Sequence, residues 1–422
     1  MDESLKLEER VNKITKMSTL EKSWIAYDVG NSAFVLLVTT ILPLYFNSLA
    51  ESAHIASSDY LAYWGYAQSV TTFLVILLGP ILGAWADGSG SKKQIFLATV
   101  IFGIMTMLAL ALPLSWFTFL VFLVIARVGF QASLIFYDAM LTDISAGARM
   151  DTLSSFGFAF GYIGSVIPFV LSLLFVLGNE VIGISMKTAM GIAIVINAIW
   201  WFLFTIPLLK NYKQPSYEEE RDSRVTNVFS RLGHTLAEVF RDKKVFLFLL
   251  AFFFYIDGVS TIISMAVSYG GSLGLDSSSL LLALLATQIV AFPFSILFGY
   301  LAKKYRSTTL IQICIVGYTL ITLFAVQLDQ EWEFWLLAIL VGMFQGGIQA
   351  LSRSYFGKLI PKHMSSEYFS LYDIFAKGAA LTGTTLVAVI SQVTGRQQLG
   401  ILALVILFIL GFFFFRASVK VE

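Results

Sequence analysis

Twelve runs of about 20 apolar residues divide this chain, and a run of that length is what an α-helix needs to cross a hydrocarbon core about 30 Å thick. They fall at approximately 24–49, 61–86, 95–114, 116–144, 153–177, 187–209, 245–269, 278–302, 308–328, 332–358, 368–392 and 398–416. In lipid the backbone must satisfy its own hydrogen bonds, so each run is predicted to be a spanning helix, and the chain an all-α membrane protein. Composition agrees: of the 422 residues 57% are hydrophobic and only 13% charged, against about 25% charged in a soluble domain.

Connections between runs are short except at 210–244, where KQPSYEEERDSR precedes a helical pattern of Val225, Val228, Phe229, Leu232, Leu236, Val239 and Phe240. That spacing predicts an amphipathic helix lying at the membrane surface. The expected organisation is an N-terminal segment (1–23), a six-helix bundle (24–209), this linker (210–244), a second six-helix bundle (245–417) and a short tail (418–422). Met1 to Lys22 mixes both charge signs and lacks the short core and cleavage site of a signal peptide, so it is expected to be retained. Leu7, Val11 and Ile14 suit a weakly amphipathic, surface-lying segment, and disorder is the alternative reading. Of the 28 Lys and Arg, 23 fall on the side of the termini and linker, Lys187 and Arg396 on the other, and three within runs. The positive-inside rule therefore makes both termini and the linker cytoplasmic.

Several chemistries are excluded. Cys314 is the lone cysteine, and His54, His234 and His363 are scattered, so neither a disulfide, a metal site nor a cofactor is expected. Gly270-Gly271-Ser272-Leu273-Gly274 matches a nucleophile pattern, but it lies between helices rather than on a strand-to-helix turn. The chain is not read as an enzyme, and a net charge of +1 gives no footprint for nucleic acid.

The halves look related. Run 2 ends in Gly79-Pro-Ile-Leu-Gly83-Ala-Trp-Ala-Asp87 and run 8 in Gly299-Tyr-Leu-Ala-Lys303; Phe130-Gln131 in run 4 matches Phe344-Gln345 in run 10, and Tyr27-Asp28 matches Tyr255-Ile-Asp257. Paired six-helix halves are the signature of a transporter with its site between them. In-run charges sit on runs 1, 4, 7, 10 and 11: Asp28, Arg127, Asp138, Asp257, Arg353, Asp373 and Lys377. Runs 3, 6, 9 and 12 carry none in their cores and read as lipid-facing supports. A cavity lined by runs 1, 4, 7 and 10 is expected, with Arg127, Gln131, Asp257 and Gln345 facing it.

Spacing refines this. Gln345, Gln349 and Arg353 form one stripe at i, i+4 and i+8, and Arg127, Gln131, Asp138 and Thr142 form another. Arg127 and Asp138 are about 16 Å apart along the axis and cannot pair; Arg127 suits capture of a carboxylate, or a carboxylate on a neighbouring helix. Asp373 and Lys377 are close enough to neutralise each other. Arg353 is near enough to the run's end to snorkel. Gly157, Gly161 and Gly164 in run 5, and Gly378 and Gly383 in run 11, are read as close-packing positions. Asp257 lies about 18 Å along its helix, near mid-membrane, with no basic residue on its own helix; it is the expected proton-coupling carboxylate.

The chain resembles the major facilitator superfamily, whose loop motif between spans 2 and 3 appears as Gly83, Asp87, Gly90, Lys92 and Lys93; Gly88 and Ser91 stand where basic residues are usual. WIAYDVGNSAF at 24–34, FYDAMLTDI at 136–144, GFAFGYIGS at 157–165, QALSRSYFGKLIP at 349–361 and LYDIFAKGAALTG at 371–383 are similar to the vacuole-effluxer-like branch. Asp138, Thr142 and Thr384 depart from that branch, where Asn, Pro and Pro are expected. The resemblance implies the two-bundle fold and a secondary active transporter for a small polar solute, an amino acid or related metabolite being one candidate. It also implies that Asp87 faces the start of span 11 as a gate. Protons are the expected coupling ion. Asp28, Asn31, Arg127, Gln131, Asp138, Asp257, Gln345, Gln349, Arg353 and Lys377 are the expected pathway residues. A monomer in the bacterial cytoplasmic membrane is expected. A drug, peptide or organic-anion exporter of the same fold, and a transport-dead sensor or scaffold, are the alternatives.

Overall fold

A computed structural model describes residues 17–215, 228–272, 277–328 and 330–421. Among the described residues, twelve helices are long and apolar enough to span a membrane. Spans 1 to 6 are Thr19–Ser52, Ser57–Ser89, Lys92–Ala109, Trp116–Ile144, Gly147–Leu177 and Met186–Asn211. Spans 7 to 12 are Lys243–Ser272, Ser277–Lys304, Ser307–Ala325, Glu331–Leu359, Ser365–Thr394 and Gln397–Lys420. A linker helix, Val228–Arg241, precedes span 7. Helices overrun the apolar runs because turns beyond the hydrocarbon edge carry polar caps, such as the Ser18–Glu21 capping box that opens span 1. Met1 to Lys16, Val225 and Gly274 lie outside the described residues.

Two hydrophobic cores form. The first packs Trp24, Phe34, Phe96 and Trp201, the second Phe248, Tyr255, Phe356 and Phe408. Span 1 presses against span 5 because Gly157, Gly161 and Gly164 present no side chain to it: a β-carbon on Gly164 would stand 2.5 Å from Val29. Gly378 plays no such part, since the nearest atom to its β-position is 3.8 Å away; the close approach in span 11 is at Gly383. Span 1 also bends. Pro43 cannot donate to the preceding turn, and Leu37–Ile41 winds as a π-helix while the Thr40 hydroxyl donates to the Leu36 carbonyl at 2.5 Å.

The halves meet through spans 2 and 11 and through spans 5 and 8, in pseudo-symmetric fashion. Gly83 admits the backbone of Ser366, and Gly299 admits Ser155. These are the glycines that the repeat between runs 2 and 8 aligns. Both termini of the described chain and the linker helix lie at one end of the bundle, hereafter the linker end.

Candidate functional site

Polar contacts between the halves gather from mid-span to the linker end. At their centre is Arg353 of span 10, 4% exposed. Its Nη1 donates to Asp138 Oδ1 at 3.0 Å and its Nη2 to Asp28 Oδ2 at 3.3 Å, while Nε reaches Ser154 Oγ at 2.9 Å. Trp24 and Phe158 close over the guanidinium, their ring centroids 4.7 and 4.3 Å from its carbon. Burying this charge among two carboxylates and a hydroxyl is what offsets its desolvation. Arg353 therefore does not snorkel: its planar fork finds better partners on spans 1, 4 and 5 than the headgroup region offers. Asn31 supports the cluster by donating to Asp28 at 3.4 Å.

Two further ties flank this lock. Asp87 Oδ2 accepts the backbone N–H of Glu367 at 3.0 Å, so the loop-motif aspartate caps the first turn of span 11. A carboxylate so placed satisfies an orphan donor and meets the positive dipole end, a contribution of about 0.5–2 kcal/mol. Gly90, with φ of +69°, closes span 2 and turns the chain. Lys92 then reaches Asp143 at 2.9 Å and Ser365 at 2.8 Å, while Lys93 donates to the Tyr212 carbonyl. On the opposite pseudo-symmetric side, Lys358 holds Asp151 at 2.7 Å, and the Ser354 hydroxyl donates to the same carboxylate.

Above the lock, the span-4 face that carries Asp138 also carries Gln131 and Arg127. Arg127 donates to the neutral Gln68 Oε1 at 2.8 Å, and no carboxylate pairs with it among the described residues. The pairing with a neighbouring carboxylate weighed from sequence is not formed, because those within reach are engaged: Asp138 by Arg353, and Asp373 by Lys377 four residues along span 11. Lys377 is near enough to feel the charges of both Asp138 and Arg127. Gln349 accepts from Tyr162 at 3.1 Å. Gln345 lines a small, mostly apolar hollow between spans 7, 8 and 10 with Ile262, Thr287 and Gln288. Its Oε1, like that of Gln131, has no hydrogen-bond partner among the described residues.

Asp257 of span 7 stands apart, fully buried. Its Oδ1 accepts the Gly383 N–H at 2.9 Å and the Thr261 hydroxyl at 3.4 Å; Oδ2 has no partner among the described residues. No cation pairs with it among the described residues.

Asp143, Asp151 and Glu367 were missed from sequence because they lie at helix ends, where a charge is ordinary. Their one sequence signal is that Asp143, within the FYDAMLTDI stretch, and Asp151 frame the short turn between spans 4 and 5.

The family model for vacuole effluxers like Atg22 matches residues 18–148 and 143–422. The MFS-type transporter YxiO of Bacillus subtilis (strain 168) is 43% identical over 396 residues, which covers 93% of this chain and 92% of that protein. Autophagy-related protein 22 of Coccidioides immitis (strain RS) is 29% identical over 63% of this chain and 48% of its own length, so the chain spans about half of that fungal relative. Among solved structures, the transporter FucP in its outward conformation superposes with a TM-score of 0.71 at 15% identity, covering 95% of this chain and 97% of that one. A bacterial homologue of the iron transporter ferroportin, outward-facing, gives 0.70 at 14% identity, covering 95% and 98%. Twelve spans, two packed halves and these matches describe a transporter rather than an enzyme: the chain belongs to the Atg22-like vacuole effluxer family of the major facilitator superfamily.

Proposed function

We propose that this protein is a secondary active transporter that moves a small polar solute bearing an anionic group, an amino acid or related metabolite, by alternating access between its halves. The observation that carries this reading is Arg127. Of the three bases deep within the spans, Arg127, Arg353 and Lys377, it is the one without a carboxylate partner among the described residues, and it lies on the span-4 face directed at the other half. A guanidinium in that position favours an anionic ligand that it can hold through two parallel hydrogen bonds. The unpartnered acceptors of Gln131 and Gln345 suit a solute that also carries N–H or O–H donors. The ties at the linker end support a state open to the opposite side. By the charge bias that opposite side is the cell exterior, with the linker end in the cytoplasm of a bacterium.

The test is a thermal-shift and transport screen of purified protein against amino acids, dipeptides, organic acids and sugars. Stabilising compounds are expected to bear a carboxylate, and Arg127→Gln is expected to weaken them by roughly 10–150-fold, the worth of a charge-assisted hydrogen bond. Equal stabilisation of wild type and R127Q by uncharged sugars would remove the reading. Preference for dipeptides or bulky organic anions would move it to a peptide or organic-anion exporter.

Protons are proposed as the coupling ion, at Asp257. A carboxylate taken out of water without a cation is costly to keep charged, and Asp257 offers a free oxygen to a proton. In reconstituted vesicles, Asp257→Asn is expected to lose uptake driven by a pH gradient while keeping solute exchange at equal pH. Gradient-driven uptake at the wild-type rate would exclude Asp257 from coupling.

A further inference from the structure

The linker helix has three faces. Arg231, Thr235 and Val239, at i, i+4 and i+8, turn toward the protein, and Thr235 and Val239 are buried. Ser230, His234 and Arg241 lie on a polar face about a third of a turn away. Between them runs an exposed apolar stripe of Phe229, Leu236 and Phe240, the first and last more than 60% accessible.

Each inner face has a specific partner. Arg231 Nε and the Thr235 hydroxyl both donate to the Glu367 carboxylate, which is fully buried at the start of span 11. The backbone N–H of that same residue caps onto Asp87. Arg231 Nη1 lies 3.5 Å from where a β-carbon on Gly88 would stand, so the linker brings a guanidinium to the stretch of the loop motif where Gly88 and Ser91 replace the usual bases. The Phe240 ring meets Phe246 in the first turn of span 7 at 5.3 Å between centroids. The apolar stripe thus continues onto a spanning helix, and Arg241, Lys243 and Lys244 follow at its end.

We propose that the linker helix docks on the surface of an anionic bilayer and thereby clasps the gate: with Leu236 and Phe240 in the lipid interface, Arg231 and Thr235 are held on Glu367 and the linker end stays closed. Apolar insertion combined with attraction of basic residues to anionic headgroups is the established physics of surface-lying helices. What this fold adds is that the inner face of the helix ends on the gate. Loss of lipid contact frees the helix, removes both donors from a buried carboxylate, and favours the state in which span 11 moves off span 2. The proposal rests on the alternating-access reading, but its readout is a distance and stays independent of solute and coupling ion.

The experiment uses full-length protein with Cys314→Ala and spin labels at Ser89→Cys and Lys362→Cys, exposed positions at the linker ends of the two halves. Inter-label distances are measured in nanodiscs of phosphatidylcholine with and without phosphatidylglycerol. The short, closed distance is expected to dominate in the anionic discs, with the longer population rising at least about fivefold in their absence, the lower end of typical coupling. Leu236→Ser with Phe240→Ser is expected to show the longer population in both lipids, and so is Arg231→Gln. Identical distributions in the two lipids, or a double-serine variant that still responds to phosphatidylglycerol, would overturn the proposal.

Discussion

Replacement of Arg353 by glutamine is expected to abolish transport and to destabilise the folded protein by about 3–5 kcal/mol, the range for removing one partner of a buried ion pair. The variant leaves Asp28 and Asp138, both on the first half, close together with no cation between them. The cost lies in those orphaned carboxylates rather than in lost attraction. A triple variant that adds Asp28→Asn and Asp138→Asn is therefore expected to recover much of the stability without recovering transport. Thermal unfolding of the purified variants, read beside solute uptake in vesicles, separates the two effects. A single R353Q variant as stable as wild type would show that the cluster does not hold the linker end.

Gly83→Ala is the second large effect. Its methyl would stand 2.7 Å from the Ser366 carbonyl oxygen and 3.3 Å from the Glu367 α-carbon. Those are backbone atoms of the first turn of span 11, held by Asp87, Lys92 and Arg231, and they have no rotamer to give. Overpacking of this kind costs about 1–3 kcal/mol, and the cost arises only while spans 2 and 11 are closed at the linker end. The equilibrium is accordingly expected to move toward the opposite state by roughly 5–150-fold, since each 1.4 kcal/mol is a factor of ten. The labels at Ser89 and Lys362 report it as growth of the longer distance. An unchanged distribution would mean that this contact is not the one that closes the gate. Gly83→Ser is expected to behave likewise, because the effect comes from the β-carbon and not from polarity.

Much of this protein is settled by short-range information. Length and hydropathy of each run set twelve helices, because a bilayer leaves the backbone no alternative. The i, i+4 spacing of Asp373 and Lys377 sets their pairing, since a helix brings those positions together whatever surrounds it. The repeat between runs 2 and 8 picks out Gly83 and Gly299, and the loop motif picks out Asp87. Periodicity also places Arg127, Gln131 and Asp138 on one face of span 4.

What periodicity leaves open is the helix opposite. Arg353 and Asp28 are 325 positions apart, and whether the guanidinium reaches them or the headgroups depends on how far span 1 sinks against span 5, which the small residues at Gly157 and Gly161 decide. A β-carbon on Gly157 would stand 2.5 Å from Asp28 Oδ2 and 3.1 Å from Arg353 Nη2, so the lock exists only because that carbon is missing. Glu367 and Arg231 are the same case across the gate. Each resembles an ordinary interfacial charge in its own segment, and only the docking of the linker helix on span 11 turns them into a pair. A helix fixes which residues share a face by its own hydrogen bonds; which face meets which is set by close packing between helices, and that is a property of the assembled bundle.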